Sequence, residues 1–248
     1  MGPAYDWRAV TEPVVSFRSV VAMVDRFPAL AGMDLTIERG ESVLVTGSNG
    51  AGKTSLVRAI AGLLPIAQGE AIVLGSDLTR FRRAVRRQIG FLGHSTSLYD
   101  ELTTAENVTF AVAAAGGDVG GVGPALDQLA LGGRLAQLTL DRLSAGQRRR
   151  AALAVVVARD PALWLLDEPH AGLDAQSRDT LDAIVKDAIR RGRTVVITSH
   201  EWERGRRLTG REVIVSGGVI AGSSSSHAAA EADSVVNVPG ESTPVHVA

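Results

Sequence analysis

Eight consecutive residues, Gly47-Ser48-Asn49-Gly50-Ala51-Gly52-Lys53-Thr54, constrain this chain more than any other stretch. They fit the pattern G-x-x-x-x-G-K-[ST], and their surroundings suit it. The apolar run 42–46 leads in, and the amphipathic segment Ser55-Leu56-Val57-Arg58-Ala59-Ile60 leads out. Glycines let the backbone wrap closely, so that its N–H groups and the N-terminus of the following helix face an anion. Residues 47–54, with Ser55, therefore read as a phosphate-binding loop for a nucleoside triphosphate. Lys53 would reach the β- and γ-phosphates, and the Thr54 hydroxyl would bind Mg²⁺.

The rest of the pattern suits a loop of this kind. Short apolar runs at 42–46, 71–74, 163–166, 194–198 and 212–215 read as buried strands. Most lie between segments of helical spacing, at 54–63, 147–158 and 175–190. Strands alternating with helices predict an α/β fold with a largely parallel sheet. Hydrophobic residues make up 45% of the 248, but aromatics only 4%, so the core is aliphatic. The stretch from about 94 to 142 holds helix-forming Ala and Leu, with a glycine-rich break at 116–123, and reads as a helical subdomain inserted into that fold. From Ser223 to the end, serines, small residues and scattered acids offer little to bury, which predicts a flexible tail over 223–248.

A second constellation follows one of the apolar runs. Ala162-Leu163-Trp164-Leu165-Leu166 ends in Asp167-Glu168-Pro169. Two adjacent carboxylates at the end of a doubly buried strand are costly without compensation. Asp167 would approach Mg²⁺, directly or through water, and Glu168 would polarise the attacking water.

Leu143-Ser144-Ala145-Gly146-Gln147 opens a helix, with Ser144 in capping position where N–H groups and the macrodipole favour an anion. This stretch is one residue from the Leu-Ser-Gly-Gly-Gln signature of the ABC family. Lying between the phosphate loop and the acid pair, it makes the chain resemble an ABC transporter nucleotide-binding domain over about 14–222. The resemblance implies a P-loop NTPase core with an antiparallel β edge and the inserted helical subdomain. It implies ATP as substrate, with Ser144, Gly146 and Gln147 reaching the γ-phosphate held by a second copy. Ala171-Gly172-Leu173-Asp174 resembles the family's D-loop, which lies across that dimer interface. His200, after Thr198-Ser199, stands where the family places a switch histidine that contacts the γ-phosphate and the attacking water. Phe27 stands roughly where the family stacks an aromatic ring on adenine. Arg148, Arg149 and Arg150 continue the signature helix and read as a solvated face.

Most family members carry glutamine where this chain has His94, in Gly90-Phe91-Leu92-Gly93-His94. The correspondence puts His94 at the metal site, where an imidazole would serve Mg²⁺ through a bound water. Together with Leu-Gly-His and Leu-Ser-Ala-Gly-Gln, the phosphate loop resembles that of the haem-exporter ATP-binding subunits of cytochrome c maturation.

Composition bounds the partners. No run of about 18 uncharged apolar residues is present, so transport requires a separate integral membrane subunit. Residues 1–12 carry no basic segment followed by an apolar run, so no secretory signal is expected and a peripheral place on the cytoplasmic face of the inner membrane is. The absence of cysteine excludes disulfides and thiolate metal sites. A formal charge of −1 gives no electrostatic reason to expect nucleic acid. The cluster Arg80, Arg82, Arg83, Arg86 and Arg87 is the feature that favours a soluble ATPase acting on nucleic acid or ribosomes; with a net charge near zero, a solvated helix face accounts for it better. Importer and exporter ATPases share the same catalytic core, so these motifs leave both open.

The loop assignment predicts that Lys53→Ala weakens nucleotide binding, because the ammonium that offsets the phosphate charge is lost. Titration with a fluorescent ATP analogue checks it, and an unchanged affinity with unchanged turnover would sink the assignment.

Overall fold

The computed structural model describes residues 12–225. Nearly all of the leading segment, and the expected tail beyond Ser225, lie outside the described residues. In chain order, β1 (Val15–Val24) and β2 (Phe27–Ile37) form a hairpin, and β3 (Ser42–Thr46) leads to α1 (Lys53–Ile60). Next come β4 (Ile66–Val73), β5 (Ser76–Asp77), α2 (Leu78–Gln88) and β6 (Ile89–Leu92). A helical stretch follows with α3 (Thr104–Ala114), α4 (Val122–Gln128) and α5 (Ala145–Arg159). The chain closes with β7 (Leu163–Asp167), α6 (Ala175–Arg190), β8 (Thr194–Thr198), α7 (Trp202–Arg206), β9 (Arg211–Ser216) and β10 (Val219–Ser225).

The strands form two sheets. One has the order β10-β9-β3-β8-β7-β6, and all its pairings are parallel except that of β10 with β9. Every residue of β3, β7 and β8 is buried, which explains their unbroken apolar character. Their side chains alternate between two cores. Leu163 and Leu165 of β7 join the core shared with α1 and the other sheet, whereas Trp164 and Leu166 join the core shared with α5 and α6. The second sheet, β2-β1-β4-β5, is wholly antiparallel. Helix α1 touches β7 and β8 of one sheet and β1 and β2 of the other, so the helix that follows the phosphate loop is gripped from both sides.

Local chemistry sets the ends of the elements. The expected helix 54–63 stops at Ile60 because Gly62, at φ 65°, turns the chain and lets the N–H groups of Leu63 and Leu64 return to the Arg58 carbonyl. Helices α3 and α5 each begin with a reciprocal capping box, Thr103 with Glu106 and Ser144 with Gln147. Helices α3, α4 and α5 pack on one another, and the glycine-rich stretch 116–123 turns the chain between α3 and α4.

Two expectations change. The run 71–74 supplies the end of β4, through Val73, in the antiparallel sheet and is not a member of the parallel one. Ala67-Gln68-Gly69-Glu70, earlier in the strand, are exposed one after another, so both faces of β4 meet solvent there and alternation begins only at Ala71. The tail expected from Ser223 does not start there, because β10 continues through Ser225, pairing Ser223 with Val213 and Ser225 with Arg211. Main-chain hydrogen bonds to β9 hold these serines without any need for apolar side chains. The arginines of α2 stand on its solvent side, since Leu78 and Val85 are that helix's buried residues.

Candidate active site

The carboxyl ends of β3, β7 and β8 lie side by side, with Asp167 opposite Thr198 and Val45 opposite Thr198. In parallel sheets of this kind ligands bind beyond those ends. The loop leaving β3 needs its glycines for space. A Cβ on Gly47, at φ 144°, would stand 2.2 Å from the Val215 carbonyl oxygen. One on Gly52, at φ 110°, would stand 2.9 Å from that of Ala29. The loop is thus clamped between β9 and β2, and the β9–β10 turn adds a bond from Gly218 N to Ala51 O at 2.9 Å.

Two features make this loop an anion site. Helices α2, α3, α5 and α6 each receive a side-chain cap, from Asp77, Thr103, Ser144 and Asp174, but α1, like the short α4 and α7, receives none. Its first N–H groups therefore remain available. Lys53 is only 7% exposed, and its ammonium donates to the Gly47 and Ser48 carbonyls at 2.8 and 3.1 Å. No carboxylate pairs with it among the described residues. A buried cation without a counter-charge costs several kcal/mol, a cost that a bound phosphate would offset.

The acid pair stands beside it. Asp167 Oδ1 accepts from Thr198 Oγ1 at 2.6 Å and from Thr54 Oγ1 at 3.2 Å, which ties the strand end to the first turn of α1. Glu168 occupies the left-handed region at φ 48°, a conformation costing roughly 1–2 kcal/mol for a residue with a Cβ. Its N–H donates to the Thr198 hydroxyl at 3.0 Å, and its Oε2 accepts from His200 N at 3.1 Å. Oε1 lies 3.4 Å from His200 Nε2, yet it is buried with no hydrogen bond among the described residues. Such strain and such an orphaned oxygen mark functional sites.

Asn49 to Ser55, Glu168, His200, Pro28, Ala29 and the Gly217-Gly218 turn line one cleft of about 370 Å³. A larger groove, about 550 Å³, lies on the far side of His200 against α6 and α7. Its Arg204 is bound by Asp179 and Asp182, while Lys186 and Arg207 also line it.

The family model described as "ABC transporter" matches residues 30–171, which span the phosphate loop, the signature stretch and the acid pair. The chain belongs to the ABC transporter family. It is 39% identical over 173 residues to a cytochrome c biogenesis ATP-binding export protein, CcmA, of Dechloromonas aromatica, covering 69% of this chain and 84% of that one. A CcmA of Salmonella paratyphi A is 36% identical, covering 78% and 93%. The sulfate/thiosulfate import ATP-binding protein CysA 1 of Agrobacterium fabrum is 35% identical, covering 83% of this chain and 62% of its own length. Among solved structures, a dimeric post-hydrolysis ATP-binding cassette bound to ADP and Pi superposes with a TM-score of 0.79 at 25% identity, covering 85% of this chain and 98% of that one. This ABC cassette is accordingly an ATP hydrolase whose reaction is coupled to transport.

The structure separates the sequence-derived site residues into three groups. Residues 49–55, Glu168 and His200 meet in the cleft, with Gly47 and Ser48 as acceptors for Lys53 and Asp167 behind Thr54. Ser144, Gly146, Gln147 and Asp174 lie outside that lining but at the neighbouring N-terminal ends of α5 and α6, where a Cβ on Gly146 would stand 3.1 Å from the Gly172 oxygen. Ser144 and Gln147 cap each other, and Asp174 caps α6 through Ser177, whose hydrogen bonds hold that carboxyl below its usual range. Phe27 and His94 are in neither group. Phe27 is 78% exposed at the start of β2, next to the cleft-lining Pro28. His94 is exposed after β6 and offers Arg149 its carbonyl oxygen, at 3.3 Å.

The three arginines after the signature are not a solvated face. Arg148 donates to the Asp141 and Leu143 carbonyls, and Arg150 to that of Leu129. Arg149 is 7% exposed and points inward. Its Nη1 donates to the Gly93 carbonyl, and its Nη2 to those of Asp167 and Glu168 at 2.6 and 2.8 Å. Burial pushes the guanidinium's pKa down, opposed by the charges of Asp167 and Glu168. Three adjacent arginines look alike in sequence; the facing carbonyls, which carry no sequence signal, distinguish them. His170 was missed for a similar reason. Two residues after Glu168, it is buried and bonded at 2.7 Å to Asp182, which also binds Arg204 of α7.

Thr198 joins both carboxylates, so Thr198→Val tests their arrangement at constant size. Loss of a donor to Asp167 and an acceptor for Glu168 N should lower stability by about 1–3 kcal/mol in urea denaturation. ATPase turnover should fall roughly 10-fold or more, in the range seen when groups that orient catalytic ligands are removed. Unchanged turnover would make the Thr198 hydroxyl a bystander.

Proposed function

We propose that this cassette works as a head-to-tail pair, each ATP held between residues 47–54 of one copy and Ser144, Gly146 and Gln147 of the other. The observation that carries this reading is the separation of the phosphate loop from the signature residues. The uncapped α1 and the unpaired Lys53 face one cleft, while the signature residues open α5 outside it and so have nothing of their own chain's cleft to bind. The similar solved cassettes described as dimers support it.

Within the cleft the roles follow from geometry. Lys53 and the free N–H groups of α1 bind the phosphates and stabilise charge on them. The oxygens of Thr54 and Asp167, 3.2 Å apart, suit a hard cation such as Mg²⁺. No group of three His, Cys, Asp or Glu able to hold a metal occurs among the described residues, so phosphate oxygens and waters would complete its shell. When bound, the ion supplies charge neutralisation to the phosphates. His94 is exposed and stands outside the cleft lining, which leaves Thr54 and Asp167 as the protein's own oxygens for the ion. Glu168, with one buried oxygen free of hydrogen bonds, orients the attacking water and accepts its proton, and His200 holds the carboxylate in place.

No helix among the described residues is long and apolar enough to cross a membrane. Like the export ATP-binding proteins it resembles, the pair would act on membrane subunits from the cytoplasmic side. The CcmA relatives support export of haem for cytochrome c biogenesis. The sulfate importer's 35% identity supports a second reading, an importer ATPase. Co-purified membrane subunits that confer haem-stimulated ATPase activity would favour the first; stimulation by a solute-binding protein would favour the second.

Glu168→Gln preserves size and removes the base. Nucleotide binding should survive while turnover falls about 10²–10⁴-fold. The variant should accumulate as a dimer on size exclusion with Mg-ATP and as a monomer with ADP. Normal turnover would remove Glu168 from the mechanism.

Ser144→Arg should leave ATP binding to the single copy intact while abolishing ATP-driven dimerisation and hydrolysis. Wild-type hydrolysis in that variant would overturn the two-copy arrangement.

A further inference from the structure

Arg149 is a buried cation that forms no ion pair among the described residues, and its two terminal nitrogens end on main-chain oxygens of two different strand ends. One nitrogen serves Gly93 and His94 after β6; the other serves Asp167 and Glu168 at the end of β7. A guanidinium alone has the planar fork to hold four carbonyls on two segments at once. Its Nε remains without a partner, so packing aims the side chain at these oxygens at some cost.

The helix that carries it is closely held. At its far end Arg159 donates to the Arg87 and Ile89 carbonyls at 2.6 and 3.0 Å, so α5 grips β6 at both ends. A Cβ on Gly90 would stand 2.7 Å from Val156 Cγ1, so helix and strand are in direct contact. Arg149 lies five residues beyond Ser144, about 7.5 Å along the axis of one helix. The end that would meet the partner copy's nucleotide and the side chain that holds the acid pair therefore move as one body.

We propose that Arg149 is a positioning residue that fixes the Glu168 backbone against the signature helix, so that hydrolysis in one cleft depends on how α5 is seated. Glu168 is held in a left-handed conformation, and a conformation of that kind persists only where the surroundings hold it. Arg149 supplies such a hold through the Glu168 carbonyl itself. The proposal rests on the reading of Glu168 as the group that orients water.

The test measures Mg-ATP hydrolysis by the full chain as wild type, Arg149→Lys, Arg149→Met, Glu168→Gln, and Arg149→Met with Glu168→Gln. Arg149→Met should lower kcat per folded protein about 10–100-fold, with KM within about threefold of wild type. Arg149→Lys keeps the charge but not the fork, so its kcat should fall between the two. In the Glu168→Gln background the same change should cost less than about twofold, because the group it positions has lost its function. Melting temperature separates folding from function, and if Arg149→Met does not fold, the kcat–KM split in Arg149→Lys decides. A wild-type kcat in the folded arginine variants overturns the proposal, as does a full effect persisting beside Glu168→Gln. Normal turnover in Glu168→Gln would instead overturn the reading of Glu168 on which it rests.

Discussion

A positive charge buried without an acidic partner governs this molecule. Lys53 gives up most of its hydration and receives only two carbonyl dipoles in exchange. That arrangement is tolerable because the rest of the fold holds the loop rigidly. Helix α1 is packed between two sheets, β9 and β2 crowd the loop glycines, and the β9–β10 turn bonds to Ala51. A looser frame would let the ammonium swing to water, and the stored preference for an anion would be lost.

The negative side of the site obeys the same logic. Asp167 and Glu168 end a strand whose every residue is buried, where two carboxylates would ordinarily be unfavourable. Hydroxyls offset the cost for Asp167, and the backbone of His200 offsets it for one oxygen of Glu168. Arg149 adds a positive charge from beneath, bonded to their carbonyls rather than to their carboxylates. Neither carboxylate is therefore tied up by Arg149, and Glu168 keeps Oε1 free of hydrogen bonds beside the cleft. Salt bridges to the carboxylates would have neutralised the groups that the chemistry requires.

Much of this was legible because some requirements are local. A loop that must wrap an anion needs glycine at Gly47 and Gly52, and a doubly buried strand needs the unbroken apolar run at 163–166. Strand β1 was not legible, since its register breaks near Phe17, Val20 and Ala22 and the alternation that marks a half-buried strand is lost. Strand β10 was hidden for the opposite reason. Its serines are held by main-chain bonds that any side chain permits.

The sequence by itself determined the chemistry: a phosphate loop, an acid pair after a buried strand, and a capped signature helix, because each depends on residues adjacent along the chain. Tertiary structure alone decided which residues share a cleft. It brought Glu168 to His200 across 32 residues and set the Gly217-Gly218 turn against the phosphate loop. It left Phe27 and His94 exposed outside the cleft lining, and it turned Arg149 from a presumed surface charge into a buried clamp. The physical reason is that burial and hydrogen-bond partners belong to the assembled strands. The carbonyls that select Arg149 over Arg148 and Arg150 come into range only when β6 and β7 pair beneath α5.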